Sequence, residues 1–223
     1  MNYTFNNGIY RNFLTIVILF LSFLLLTIAV IYIDKEAIGP QDSVVGLGKI
    51  NGYVHETVGL NMKWYLASEW LGWIALALVP GFSAFGLIQL IKRGSLKRVD
   101  DNILILVFFY ILVALIYAFF EMCIINYRPV ILKGSLEASF PSSHSMVVLF
   151  IMATSIAQFR IRIKNPLLKN IVVLISALIM IITIAARLLS GVHWSTDILG
   201  GILLGATLAS AYQLTIHYRA TAG

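Results

Sequence analysis

Long apolar runs recur along the whole of this 223-residue chain and restrict its fold more than any other feature. Hydrophobic residues make up 60% of the sequence and charged residues only 12%, whereas a soluble domain carries about 25% charged residues. About 20 apolar residues form an α-helix long enough to cross a bilayer. The sequence therefore predicts an all-α integral membrane bundle of six transmembrane helices, at 13–33, 71–91, 102–123, 146–159, 170–186 and 198–216.

Three of these runs need comment. No small-residue cleavage site follows the first, so we interpret it as a retained span rather than a signal peptide. Pro80-Gly81 predicts a kink near the middle of the second. The run 146–159 is short, and it reaches the length of a span only if its helix starts near Pro141, a residue suited to a first helical turn.

The length predicts a single six-helix domain over residues 1–223, with no separate soluble domain. Residues 34–70 are glycine-rich and are expected to form an irregular outer loop, whose later part carries the aromatic residues of an interfacial segment. Residues 121–197 hold the polar motifs. The chain has one cysteine, Cys123, so an intramolecular disulfide is excluded.

The distribution of basic residues predicts the orientation. Ten of the sixteen Lys and Arg residues fall on one side of the predicted bundle, together with only two of the ten acidic residues. The ten are Arg11, Lys92, Arg93, Lys97, Arg98, Arg160, Arg162, Lys164, Lys169 and Arg219. Basic loops face the cytoplasm, so both termini are expected there. This topology signal explains the net charge of +6 without nucleic-acid binding.

Arg187, His193 and Asp197 stand between the fifth and sixth predicted spans. If a helix begins at Asp197, the i, i+4 spacing puts it on one face with His193. A carboxylate there can hold the imidazole tautomer and stabilise its charged form. The forked guanidinium of Arg187 suits phosphate oxygens. The pattern indicates a phosphate site with a reactive histidine, although His193 alone would also fit a structural role.

Two further motifs fall on the same predicted face. Pro141-Ser142-Ser143-His144 lies where the fourth helix is expected to begin, and free N–H groups at a helix N-terminus bind anions. A serine cap beside a surface histidine would give the same pattern. Arg128 is a second cation, although an arginine at a span end also fits snorkelling to lipid headgroups. Their shared location favours one site.

Together the motifs resemble the signature of the type 2 phosphatidic acid phosphatase superfamily, the membrane lipid phosphate phosphatases. That signature has a lysine, six residues and Arg-Pro; then Pro-Ser-Gly-His; then Ser-Arg, five residues, a His, three residues and an Asp. The chain presents Arg128-Pro129, then Pro141-Ser142-Ser143-His144, then Arg187, His193 and Asp197 at the family spacing.

Three positions depart from the family pattern: Glu121 replaces the lysine, Ser143 the glycine and Ala186 the serine. Glu121 leaves the expected phosphate site short of a cation. We hypothesise that Glu121 pairs with Arg128 and orients it, and that Lys133 supplies the missing positive charge. Alternatively, Glu121 marks a site that has lost its activity.

The resemblance implies a reaction through a phosphohistidine. His193 would attack phosphorus, and Asp197 would orient it. Arg128, Arg187 and the amides near Ser142 and Ser143 would hold the phosphoryl oxygens. His144 would protonate the leaving oxygen and then activate water. Neither a metal nor another cofactor is expected.

The implied function is a metal-independent lipid phosphate or pyrophosphate phosphatase of the cell membrane. Its active site would face the extracytoplasmic side, and its partners would be the bilayer and a membrane lipid phosphate. Undecaprenyl pyrophosphate and phosphatidylglycerol phosphate are among the substrates that the family handles. Two alternatives remain open: a non-catalytic lipid-phosphate binder or transporter, and a lipid phosphotransferase.

Overall fold

The structure, a computed structural model, describes residues 2–132 and 134–222. Its helices in chain order are α1 Asn2–Tyr32, α2 Gly48–Val58, α3 Met62–Leu76, α4 Leu78–Arg93, α5 Asp101–Met122, α6 Ser143–Arg162, α7 Pro166–Leu189 and α8 Ser195–Ala222. Single 3-10 turns lie at Pro40–Asp42 and Leu96–Arg98. Within the described ranges β-structure is limited to two isolated bridges, Glu36 with Val45 and Tyr127 with Ala138.

Six helical stretches of the described chain are long and apolar enough to cross a membrane. They are α1, the pair α3 and α4, then α5, α6, α7 and α8. The predicted all-α fold with six spans is therefore confirmed, and the chain is a multi-pass membrane protein.

Helices α6 and α8 form the centre of the bundle. Half of the most apolar window of each is buried, compared with 11% to 22% for the other spans. These two are also the least apolar spans. Several of their polar side chains, among them Ser145, Thr154, Gln158, Thr196 and Thr207, are buried against protein rather than exposed to lipid. A Cβ atom at Gly201 of α8 would lie 2.5 Å from the carbonyl oxygen of Ser142, so glycine is required for this close approach.

The second span is interrupted just before Pro80-Gly81, where a kink is predicted. Helix α3 ends at Leu76 and α4 begins at Leu78, so the interruption is at Ala77. Pro80 has no N–H group to donate to the carbonyl oxygen of Leu76, and its ring crowds that carbonyl. The distortion that a proline causes therefore appears about one turn before the proline itself.

The prediction that residues 34–70 form an irregular loop is wrong for much of that stretch. Gly48–Val58 forms α2, and α3 begins at Met62 with Asn61 as its N-cap. Buried Asn51 of α2 explains why a glycine-rich segment folds as a helix: its amide donates to the carbonyl oxygen of Gly46 and to Oγ1 of Thr196, both at 2.9 Å. These tertiary contacts override the weak helix propensity of glycine.

A polar network fastens the end of the bundle opposite the motifs. Oδ2 of Asp100 accepts hydrogen bonds from Gln89 at 2.9 Å and from Arg162 at 3.0 Å, and Oδ1 accepts one from Arg93 at 2.9 Å. Burial alone would raise the pKa of Asp100, but these three donors lower it to about 2. The carboxylate links α4 to α6 at the start of α5.

Candidate active site

The three sequence motifs meet at one end of the bundle, which we call the motif end. It is formed by residues 33–61, 123–132, 134–142 and 190–194. The indole N–H of Trp194 donates to the carbonyl oxygen of Tyr127 at 2.8 Å. The amide of Ser142 donates to the carbonyl oxygen of Asp197 at 2.8 Å. Backbone contacts therefore join the segments that follow α5, begin α6 and begin α8.

His193 and Asp197 lie on either side of the Ser139 hydroxyl. Oγ of Ser139 is 3.1 Å from Nδ1 of His193, and it donates to Oδ2 of Asp197. The direct distance from Nδ1 to Oδ2 is 3.7 Å, which is too long for a hydrogen bond. The i, i+4 pair is thus connected through a serine that the motif analysis did not include.

When Asp197 is ionised, the direction of these bonds sets the tautomer of His193. A hydroxyl has one proton, and Ser139 gives it to the carboxylate. Its oxygen can then only accept from Nδ1–H, so Nε2 carries the lone pair. Nε2 of His193 is buried and has no hydrogen-bond partner among the described residues. In this tautomer, the nitrogen that could act as a nucleophile is unprotonated.

The electrostatic surroundings also keep His193 neutral. Burial, followed by the positive charges of Arg128 and Arg187, holds the pKa of His193 well below its usual value. Asp197 sits in the first turn of α8, where its Oδ2 also accepts from the amide of Trp194 at 2.9 Å. This bond is half of a capping box, and it fixes the carboxylate on Ser139.

Arg187 is completely buried at the end of α7. Its Nη2 donates to Oε1 of Glu69 on α3, and its guanidinium carbon lies 5.2 Å from the ring centre of Tyr65. Nε and Nη1 have no acceptor among the described residues. A buried cation with two unused donors is suited to bind phosphoryl oxygens.

His144 reaches the same carboxylate from α6. Its Nε2 lies 3.2 Å from Oε1 of Glu69. The imidazole packs against Gly72, where a Cβ atom would lie 3.3 Å from Cδ2 of His144. A larger residue at position 72 would therefore press on the histidine ring.

Arg128 pairs with Glu137 rather than with Glu121. Its Nε lies 3.3 Å from Oε2 of Glu137 and donates to the carbonyl oxygen of Ala138 at 3.4 Å. Within the described chain, Glu121 forms no ion pair with Arg128, so the hypothesis that Glu121 orients this arginine is wrong. Glu121 instead lies beside Tyr117, one turn earlier on α5. Lys133, the predicted auxiliary cation, lies outside the described residues.

The two serines of the second motif occupy different positions. Ser142 is buried; its amide bonds to Asp197, and its hydroxyl accepts from the Ser145 amide as the N-cap of α6. The predicted use of the Ser142 amide as a phosphate ligand does not agree with this arrangement. Ser143, the first residue of α6, lines cavities near both His193 and His144.

Helix α2 contacts the stretch that carries His193. Oδ1 of Asn51 accepts from the Ser195 hydroxyl at 2.9 Å and from the Thr196 amide at 3.2 Å. The imidazole of His55 packs on Trp194, with ring centres 5.3 Å apart. Helix α2 therefore stabilises the start of α8 and the residues just before it.

An apolar cavity of about 410 Å³ adjoins His144 and extends into the membrane-spanning part of the bundle. It is lined by residues that include Gly72, Val79, Tyr110, Tyr117, His144 and Ile151. From His144 to Ile151 it follows α6 for about 10 Å at 1.5 Å per residue. This volume lies within the usual range of about 300–1,000 Å³ for small-molecule sites.

Three residues that contact predicted site residues were not identified from the sequence: Ser139, Glu69 and Glu137. Ser139 lies three residues before Ser142, in a stretch with no helical pattern. Glu69 lies 118 residues from Arg187 in the chain, and its neighbourhood is typical of an interfacial aromatic belt. A carboxylate inside an otherwise apolar helix was the available signal, since such residues are commonly functional. Among the described residues, no group of three or more His, Cys, Asp or Glu side chains could hold a metal ion.

A family model described as the PAP2 superfamily matches residues 77–220. The chain is also similar to the crystal structure of a transmembrane PAP2-type phosphatidylglycerolphosphate phosphatase from Bacillus subtilis, with a TM-score of 0.63 and 21% sequence identity. That similarity covers 92% of this chain and 96% of the other. A search of curated proteins found no match.

Proposed function

Because the chain belongs to the PAP2 superfamily, we propose that it is a membrane phosphatase that hydrolyses lipid phosphates or pyrophosphates through a phosphohistidine. The observation that carries the proposal is the buried Nε2 of His193, which has no hydrogen-bond partner in the described part of the chain and lies in the field of Arg128 and Arg187. A neutral imidazole beside two fixed cations is suited to attack a phosphoryl group, whose negative charge the cations stabilise.

The reaction has two steps. In the first, Nε2 of His193 forms a bond to phosphorus, while the bond from phosphorus to the leaving oxygen breaks. That oxygen belongs to the lipid alcohol in a lipid phosphate and to the remaining lipid phosphate in a pyrophosphate. Positive charge then develops on the His193 imidazole, and the Ser139 hydroxyl connects its Nδ1–H to Asp197. His144 gives its proton to the departing oxygen. Arg187 uses Nε and Nη1, its two donors without a partner in the described chain, to bind the phosphoryl oxygens.

In the second step, His144 removes a proton from water, and the resulting nucleophile attacks phosphorus. The bond between phosphorus and Nε2 breaks, which releases inorganic phosphate and restores neutral His193. All residues in these two steps belong to this chain. We therefore expect turnover to persist when divalent cations are removed with a chelator.

The lipid character of the substrate is supported by the apolar cavity that ends at His144. A hydrocarbon chain lying along α6 would bring the attached phosphate to the motif end. The similar Bacillus subtilis protein is described as acting on phosphatidylglycerolphosphate, so this lipid and undecaprenyl pyrophosphate lead the list of candidates. Phosphate release from a panel of these lipids and phosphatidic acid, by purified protein in EDTA, tests the proposal. Release from none of them would contradict it.

We also propose that the motif end faces outward in the cell membrane, because basic residues concentrate at the opposite end. The test replaces Cys123, the single and exposed cysteine, by serine and introduces a new cysteine at Ser135 or at Ser95. An impermeant thiol reagent applied to intact cells should label Ser135→Cys and not Ser95→Cys. The reverse pattern would place the site at the cytoplasmic leaflet.

A further inference from the structure

Helix α3 presents three residues to the active site on a single face. Tyr65, Glu69 and Gly72 are spaced i, i+4 and i+7, which places them on one side of an α-helix. Tyr65 stacks near the Arg187 guanidinium, Glu69 bonds to Arg187, and Gly72 receives the ring of His144. All three precede residues 77–220, the region that the family model matches. This face is therefore a part of the site that the family match does not include.

Glu69 is the link between the two catalytic elements. Its Oε1 accepts from Nη2 of Arg187 and lies 3.2 Å from Nε2 of His144. One carboxylate oxygen thus joins the end of α7 to the start of α6. We propose that Glu69 is a positioning residue, which holds the phosphate-binding Arg187 and the proton-donating His144 in register for transfer; this role rests on the proposed function.

The burial of Arg187 supports this role. A fully buried guanidinium requires a counter-ion, because removal of its charge from water is unfavourable unless the charge is paired. Glu69 occupies one nitrogen of Arg187 and leaves Nε and Nη1 without acceptors in the described chain. With one nitrogen held, the guanidinium cannot rotate freely, and the other two keep a fixed direction. Misplacement of such a group by about 1 Å can cost roughly 100-fold in rate.

The competing interpretation is that the Glu69 carboxylate repels the substrate phosphate and acts as a brake. The two interpretations predict opposite effects of removing its charge. If Glu69 repels the phosphate, Glu69→Gln removes that repulsion and should bind phosphate analogues more tightly. If Glu69 is a positioning residue, the same substitution should weaken the binding of a transition-state analogue and lower kcat.

The experiment compares the steady-state kinetics of Glu69→Gln, Glu69→Asp and wild type. Glu56→Gln is the matched control, because Glu56 is an exposed acidic residue of α2 outside the site. We expect Glu69→Gln to lower kcat about 100-fold with KM changed less than about threefold. Glu69→Asp keeps the charge with a shorter reach, and it should recover part of kcat. Thermal melts establish that each variant is folded.

Orthovanadate binding, measured as a ligand-dependent rise in Tm, separates the failure of this inference from failure of the proposed function. Weaker vanadate binding by Glu69→Gln than by wild type supports the positioning role of Glu69. This holds even if wild type hydrolyses none of the lipids tested. The lack of hydrolysis would then contradict only the phosphatase proposal. Unchanged kcat in folded Glu69→Gln, or tighter vanadate binding, overturns the role of Glu69. Absence of both turnover and vanadate binding in wild type overturns both.

Discussion

Nδ1 of His193 and Oδ2 of Asp197 are 3.7 Å apart, and the Ser139 hydroxyl bridges them. The bridge makes the orientation of the histidine depend on three side chains from two segments of the chain. It also fixes the proton on Nδ1, which leaves Nε2 free for attack.

Ser139→Ala should lower kcat by about 10- to 100-fold, because a hydrogen bond to a charged group contributes about 1.5–3 kcal/mol. The effect should appear in kcat rather than in KM, since Ser139 supports the nucleophile. Steady-state kinetics on the best lipid phosphate measures both. Asp197→Asn should lower kcat further, by roughly 10³-fold or more, because an amide at position 197 favours the wrong tautomer of the His193 imidazole. Full activity of Ser139→Ala would show that the bridge is not needed.

The pKa of His193 gives a second prediction. Because burial and two nearby arginines lower it, the imidazole should stay neutral as the pH falls through the usual histidine value of about 6.5. ¹⁵N NMR of protein labelled at its four histidines follows each imidazole. The signal that is missing in His193→Ala identifies His193, and it should titrate well below pH 6.5, near which an exposed histidine changes charge. Titration of that signal near 6.5 would contradict the structure.

The ion pair of Arg128 predicts a ranking of two glutamate variants. Glu137→Gln weakens the contact at 3.3 Å and should lower kcat/KM by about tenfold, equivalent to about 1.4 kcal/mol of transition-state stabilisation. Glu121→Gln should have a smaller effect, since Glu121 forms no ion pair with Arg128 in the described chain. Kinetics of the two variants, measured side by side, decides the ranking. A larger loss in Glu121→Gln would restore the idea that this residue orients Arg128.

Asp100 should matter for stability and not for catalysis. Asp100→Asn removes the negative charge that Arg93 and Arg162 share, at the end of the bundle opposite the site. Each 1 kcal/mol lost lowers Tm by about 2–4 °C in a protein of this size, and we expect a shift of that order. The variant should hydrolyse lipid phosphate at the normal rate at low temperature. A catalytic defect without a change in Tm would contradict the separation of the two ends.

The sequence predicts the spans and the residues of the motifs because both depend on local spacing. His193 and Asp197 lie close together, as their i, i+4 spacing predicts, but the Ser139 hydroxyl bridges them. The helix is interrupted at Ala77 rather than at Pro80, because the hydrogen bond that proline cannot donate belongs to a carbonyl one turn earlier.

What spacing does not predict is which distant segments meet. Glu69 and Arg187 come together only when α3 packs against α7, and no local pattern encodes that contact. The partner of Arg128 was misassigned for the same reason. Glu121 is close along the predicted helix, but the chain turns after α5 and brings Glu137 beside the arginine.

The central claim is that His193 becomes phosphorylated. Its most direct test is rapid acid-free quenching of purified protein during turnover of a lipid carrying ³²P on its terminal phosphate. The wild type should acquire a label that is stable in alkali and lost in acid, and mass spectrometry should place it on His193. His193→Ala should remain folded, unlabelled and inactive. Normal phosphate release by His193→Ala, or rapid turnover by wild type through an unlabelled enzyme, would contradict the account.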